Sequence, residues 1–227
     1  VHCAAYTAVD KAQAQPALCA VVNHHGSDCL AQAAAAVGAK MLYVSTDYVF
    51  GGGGETPYET DAPKHPVNVY GETKLLGEQA VKTRCPRSFI VRTSWVFGHN
   101  GNNFVKTILR LCGEKECIPV VGDQIGSPTY TRDLAALLCD MIVTDRFGDY
   151  HATNEGFCSW SEFAREIVRQ SGRDTEISDI TTAAYGAPAP RPLNSRLSKA
   201  SLDAAGFSRL PPWQDALARY LKDLAEK

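Results

Sequence analysis

Two short apolar runs set the strongest limit on what this chain can become. Met41-Leu42-Tyr43-Val44 and Phe89-Ile90-Val91 carry no charge and no polar alternation, so each reads as a strand buried on both faces. A helical stretch runs from Tyr70 toward Thr83 between them, and an alanine-rich one, residues 17–37 with a break at Gly26, precedes them. The alternation continues with a helix over 103–111, a strand over 118–121, a helix over 132–142 and a strand over 150–152. Residues 161–170 form an amphipathic helix with Phe163, Ile167 and Val168 on one side. A Pro-rich loop, 187–192, leads to short helices near 198–205 and 213–224. Strands that alternate with helices pair in parallel, because each crossover returns the chain to the same edge. The predicted class is α/β, a parallel sheet with helices on both faces.

Charge and cysteine usage exclude several functions. A net charge of −2 and a pI near 6.3 leave no footprint for nucleic acid or an anionic membrane surface. No apolar run reaches the length of a membrane span. The eight cysteines (Cys3, Cys19, Cys29, Cys85, Cys112, Cys117, Cys139 and Cys158) show neither Cys-x-x-Cys pairs nor histidine spacing, which argues against zinc. With no secretory signal visible, they are expected to be reduced thiols in a cytoplasmic protein. His2, His24, His25, His65, His99 and His151 have no ligand spacing and are assigned to loops or core, as Trp160 and Trp213 are assigned to helix packing.

Against that background Tyr70-Gly71-Glu72-Thr73-Lys74 carries chemistry. Tyr70 and Lys74 are one helical turn apart on one face. An ammonium beside a phenol stabilises the phenolate and is expected to lower the phenol's pKa from its ordinary ~10. Thr46, at the carboxyl end of the first apolar run, adds a hydroxyl. Together these groups suit protonation of a carbonyl oxygen, the proton that hydride addition to a carbonyl requires. A nucleotide-binding sheet also needs a Gly-rich turn opening a helix. The cluster at 51–54 runs into prolines instead, so it is rejected as a phosphate loop.

With these motifs in hand, the chain resembles the extended short-chain dehydrogenase/reductases and, within them, the dTDP-4-dehydrorhamnose reductase family. The resemblance is nearly end to end. It rests on Ala4-Ala5-Tyr6-Thr7-Ala8-Val9-Asp10-Lys11-Ala12, Ser45-Thr46-Asp47-Tyr48-Val49-Phe50 and Asn68-Val69-Tyr70-Gly71-Glu72-Thr73-Lys74. Arg92-Thr93-Ser94-Trp95-Val96, Gly101-Asn102-Asn103-Phe104, Asp123-Gln124-Ile125-Gly126-Ser127-Pro128-Thr129 and Arg191-Pro192-Leu193-Asn194-Ser195-Arg196-Leu197 complete the set.

The resemblance implies a Rossmann-like fold over residues 1–152, with substrate-lobe excursions near 96–130, and a smaller substrate lobe over 153–227. It implies reduction of the 4-keto group of a dTDP-linked 4-keto-6-deoxy sugar by NADPH or NADH, with Mg2+ as a further cofactor and a homodimer as a compatible assembly. Tyr70 would donate the proton, and Lys74 would hold the nicotinamide ribose and depress the Tyr70 pKa. Thr46 would bond the keto oxygen or tune the tyrosine, unless it only caps the backbone. Ala5, Tyr6 and Thr7 would line the cofactor channel, and Asn23 would brace the water network of Lys74. Asp47, Trp95, Asn103 and Arg191 would contact the sugar nucleotide. Asp47 as an Asx turn, Trp95 as a core residue and Arg191 as a salt-bridged surface residue remain open. The family's first three strands and its Gly-rich turn have no counterpart here and are expected to precede Val1, where two strand–helix units plus a third strand need roughly 50–60 residues. Alternatives are a neighbouring sugar nucleotide reductase or epimerase, and a non-catalytic partner resembling the regulatory subunit of methionine adenosyltransferase.

Overall fold

The two apolar runs lie side by side, and the rest of the chain is arranged around them. In the computed structural model, residues 1–226 are described. Helices α1 (Val9–Ala14) and α2 (Pro16–Ala20) open the chain, and α2 passes through a π-helical turn (Val21–His25) into α3 (Gly26–Ala36). Strand β1 (Met41–Thr46) ends in a 3-10 turn (Asp47–Val49) and is followed by α4 (Val69–Arg84) and β2 (Ser88–Thr93). Next come β3 (Val96–Phe97), α5 (Phe104–Leu111), β4 (Cys117–Val121), β5 (Ile125–Gly126), β6 (Thr129–Tyr130), α6 (Thr131–Ile142) and β7 (Gly148–His151). The chain closes with β8 (Cys158–Ser159), α7 (Trp160–Gln170), β9 (Glu176–Ile180), α8 (Thr182–Tyr185), α9 (Ala200–Ala204) and α10 (Trp213–Ala225). Among the described residues no helix is long and apolar enough to cross a membrane.

Strands β1, β2 and β7 form a parallel sheet in that order, and His2 bridges to Tyr43 on the outer edge of β1. Alternate side chains go to opposite faces, which is why the apolar runs are unbroken. Met41, Tyr43 and Ile90 pack with Ala31, Val81 and Cys85 from α3, α4 and the residue that ends α4. Leu42, Phe89 and Val91 pack on the other side with Leu134, Leu137, Leu138 and Met141 of α6. Leu202, Phe207 and Leu210, far along the chain, return to this second cluster. A separate core joins α5, α7 and α10 to the parallel pair β4–β9 through Val105, Ile108, Phe163, Ile167, Leu217 and Tyr220. Several details differ from the sequence reading, among them the unforeseen α1, α8 and short strands β3, β5, β6 and β8. The break in the alanine-rich helix falls on Val21–His25 rather than at Gly26, and β9 was not foreseen.

The helix that carries Tyr70 and Lys74 is fastened to the sheet by a buried ion pair. Arg92 of β2, fully buried, holds Glu78 of α4 through two bonds, Nε to Oε1 at 2.8 Å and Nη2 to Oε2 at 2.7 Å. The same guanidinium reaches Asp149 of β7 at 3.0 Å and the carbonyl of Thr60 at 3.0 Å. Ser45 donates to Glu78 at 2.5 Å, and His151 stands 3.3 Å from Arg92 Nη1. Burial and the adjacent guanidinium push the His151 imidazole down to about 3, so it is neutral; its Nδ1 faces the carbonyl of Ser198. Close approach of α4 also depends on Gly77, where a Cβ would fall 2.4 Å from both the Asn23 carbonyl and the Tyr43 hydroxyl.

Removing one partner of such a pair strands the other charge in a medium that cannot solvate it. Glu78→Leu is expected to cost about 3–5 kcal/mol, whereas Glu78→Leu with Arg92→Met should regain most of that loss. Urea unfolding of both variants measures the difference. A double variant no more stable than the single one would mean that the charge itself is not the source of the cost.

Candidate active site

Ligands of parallel α/β sheets gather at the carboxyl ends of the strands, and here those ends are polar. Thr46 and Thr93 are register partners at the ends of β1 and β2. The Thr46 hydroxyl donates to Asp47 Oδ1 at 2.9 Å and accepts from the Tyr48 amide at 3.2 Å, capping the 3-10 turn. Asp47 is buried and its Oδ2 has no partner, as is true of Thr93 Oγ1. Burial lifts the Asp47 carboxyl to about 6, against the pull of the nearby Ser195 and Thr46 side chains. Buried polar atoms left without partners are costly. Two of them at one sheet edge mark a place where a polar ligand fits.

Helix α4 brings its own residues to this edge. Asn68 caps it by accepting from the Gly71 amide at 2.8 Å. Gly71 sits against the turn after β1, and a Cβ there would lie 2.1 Å from the Tyr48 carbonyl. The half-buried Tyr70 thus packs edge-on against the Tyr48 ring, with centroids 5.6 Å apart. Burial raises the Tyr70 phenol above its ordinary range, while the nearby Thr46 side chain draws it down. The sequence reading expects Lys74 to lower it, but the Lys74 ammonium is engaged elsewhere. Its Nζ donates to the Val44 carbonyl at 2.7 Å and lies 3.9 Å from the centroid of the Tyr43 ring. Burial brings this lysine down to about 7, with Glu78 opposing the fall.

Asn23 ties the segment after His2 to the same helix. Its Oδ1 accepts from the Tyr6 amide at 2.7 Å, and its Nδ2 reaches the Tyr6 carbonyl at 3.2 Å and Thr73 Oγ1 at 3.1 Å. The residue lies inside the π-helical turn, a form found mostly at functional sites. Ala5 and Tyr6 are half-buried and Thr7 is exposed beside this bracket.

A cleft of about 290 Å³ opens between the sheet and the second core. Phe104, Ile108, Leu111, Ile118 and Val120 supply apolar wall, while Tyr48, Gln124 and Arg191 supply polar groups. Arg191 makes an ion pair with Asp10 at 2.8 Å. Trp95, the one non-glycine residue with positive φ (49°) among those described, stacks on Trp160 at 3.7 Å, so one indole face is covered by protein. Asn103 is not brought to the others. Its Oδ1 caps α5 and its Nδ2 donates to the Gly98 carbonyl and the Tyr220 hydroxyl. Trp160 and Tyr48 were missed as cleft residues; the signal for Tyr48 was its place directly after Asp47. Arg92, which opens one of the segments that carry the resemblance, points into the buried ion pair. No three His, Cys, Asp or Glu side chains among the described residues are placed to hold a metal ion, so no step is assigned to magnesium.

The family model described as the RmlD substrate binding domain matches residues 1–226. The spore coat polysaccharide biosynthesis protein SpsK of Bacillus subtilis is 43% identical over 223 residues, 98% of this chain and 78% of that protein. The dTDP-4-dehydrorhamnose reductase of Streptomyces griseus is 45% identical over 224 residues, 96% of this chain and 74% of its own length. A crystal structure of dTDP-4-dehydrorhamnose reductase from Bacillus anthracis in complex with NADP superposes with a TM-score of 0.96 at 44% identity, covering 98% of this chain and 79% of that one.

The lowered pKa of Lys74 has a consequence for stability. Above about pH 7 and up to the ordinary lysine range near 10.4, the unfolded chain holds a proton that the folded chain has released. Stability contributed by this group therefore rises with pH through that window, by about 1 kcal/mol per pH unit at its steepest. Lys74→Met should abolish the rise. Urea midpoints of the two proteins across the window test it, and parallel curves would refute a lysine that folding makes neutral.

Proposed function

The chain belongs to the RmlD substrate binding domain family, and on that premise we propose that it reduces the 4-keto group of dTDP-4-dehydro-L-rhamnose to dTDP-L-rhamnose, with NADPH or NADH as reductant and Tyr70 as proton donor. The observation that carries this reading is the packing of the Tyr70 ring on Tyr48, two residues beyond Thr46, at the strand ends that hold the unpartnered Asp47 Oδ2 and Thr93 Oγ1. A proton donor, a second hydroxyl and free acceptors at one sheet edge are what a keto sugar needs.

Bound nicotinamide would supply the hydride to C4 of the sugar. The nicotinamide half fits the chemistry of Lys74, whose ammonium has one hydrogen-bond partner, the Val44 carbonyl, and further N–H donors to offer a ribose. Ala5, Tyr6 and Thr7 would border it. Among the described residues no Gly-rich turn opens a helix that could take the pyrophosphate; the glycines at 51–54 instead receive Asn194, which bonds the carbonyls of Gly52 and Gly53.

Tyr70 performs the acid step. A phenol raised by burial keeps its proton at neutral pH and releases it only to a stronger base, which the keto oxygen becomes as charge develops on it. Thr46 steadies the same oxygen or the departing phenolate. Phenolate formation one turn from Lys74 favours the charged ammonium, which draws a proton onto a group poised near 7. Asp47 offers its free oxygen to a sugar hydroxyl. In the cleft the apolar wall suits a nucleoside, and Arg191 suits its diphosphate through bidentate bonds. A neighbouring reductase or epimerase would share the proton-donor set and differ in the cleft; a purely regulatory role would not require Thr46, Tyr70 and Lys74 together.

Tyr70→Phe is expected to lower kcat roughly 10²–10⁴-fold with dTDP-4-dehydrorhamnose while leaving NADPH affinity nearly unchanged, since the proton is used only in the transition state. Steady-state kinetics with a separate cofactor titration decide the matter. Retention of more than about half of the wild-type rate would remove Tyr70 from the acid role.

A further inference from the structure

Residues 187–192 cross between α1 and the start of α4 as a strap at the rim of the cleft. The Ala189 amide donates to Asp10 Oδ1 at 3.2 Å, and Asn68 Nδ2 donates to the Pro190 carbonyl at 2.9 Å. Arg191 follows, its Nη2 bonded to Asp10 Oδ2 at 2.8 Å. Asp10 and Arg191 are 181 positions apart in sequence. Arg191 is the only charged side chain that lines the cleft among the described residues.

The two partners are not equal. The Arg191 side chain is 16% exposed and the Asp10 side chain 45%. Asp10 can therefore return to water at little cost, whereas the guanidinium needs an acceptor where it stands. With the pair closed, the only cation of the cleft is neutralised, a poor reception for a diphosphate. The ring of Tyr48, which lines the cleft and packs against Tyr70, feels both charges in opposite senses.

We propose that Asp10 is a positioning residue for Arg191: it holds the guanidinium at the cleft rim in the empty site and yields it to the diphosphate of an incoming nucleotide sugar. Asp10 thereby limits nucleotide affinity and ties occupation of the sugar nucleotide half to the segment beside the nicotinamide half. The inference rests on the proposed reductase reading.

Asp10→Asn tests it cleanly, because the amide Oδ1 still accepts from Ala189 while the charge is gone. An ion pair of this exposure is worth up to about five-fold in affinity. The expected result is that dTDP, measured by calorimetry, binds about three- to five-fold more tightly to Asp10→Asn, with KM for the sugar nucleotide falling alike. Asp10→Glu should restore wild-type values, and Asp10→Asn placed on Arg191→Gln should change nothing. Structural damage would weaken binding, the opposite sign. Unchanged or weaker dTDP binding in Asp10→Asn, or tightening that persists without Arg191, would overturn the inference while wild-type turnover leaves the reductase reading standing. A wild-type protein that neither binds dTDP nor reduces the keto sugar would overturn both.

Discussion

The buried pair of Arg92 and Glu78 is the constraint on which the site depends. Tyr70, Lys74 and Glu78 follow one another at four-residue spacing, so they form a single stripe along α4. The last of them is locked to β2 and linked to β7 through the shared guanidinium, while Ser45 ties the same carboxylate to β1 beside Thr46. One carboxylate thus fixes the height and rotation of the helix against two strands. It also faces the lysine one turn away and counters part of the burial that would strip its charge. A buried ion pair is seldom the cheapest way to stabilise a core. Here its directional bonds serve to align the Tyr70 phenol on a helix with the Thr46 hydroxyl on a strand, which apolar packing alone specifies less sharply.

The parts legible in sequence were those with a local signature. Uninterrupted apolar runs gave the strands, spacing gave the Tyr70–Lys74 face, and a glycine cluster running into prolines was correctly kept apart from helix N-termini. The π-helical turn had no such signature, since alanine, valine and histidine adopt either helical form. Strand β9 escaped because Glu176-Ile177-Ser178-Asp179-Ile180 has only two apolar residues and pairs on one side. Electrostatics were harder still. Spacing places Lys74 near Tyr70, but only coordinates reveal that the ammonium turns to the Val44 carbonyl and that burial governs the phenol. Arg92 illustrates the same limit from the other side: a motif was visible, yet the direction of its side chain belonged to the fold.

The cleft was assembled from the longest-range relations in the chain. Its walls come from α5, β4 and the start of α7, while its charged rim comes from a strap near residue 191. The Trp95–Trp160 stack joins the end of the sheet to that wall, and the left-handed backbone at Trp95 is tolerated because the ring is held on a neighbour. The cleft and the Tyr70–Thr46 group are thus built from different elements that meet at Tyr48.

That separation bears on how such a protein can change over generations. At Gly71 the helix touches the turn after β1 backbone to backbone, against the Tyr48 carbonyl rather than its ring. The spacing between Tyr70 and the strand end is consequently set by main-chain atoms that no substitution at positions 46 to 48 removes. Cleft side chains other than Tyr48 are free to drift without disturbing the packing around Tyr70. Positions 71 and 77 bear the cost of this freedom, since a side chain at either would strike a backbone carbonyl, of Tyr48 or of Asn23.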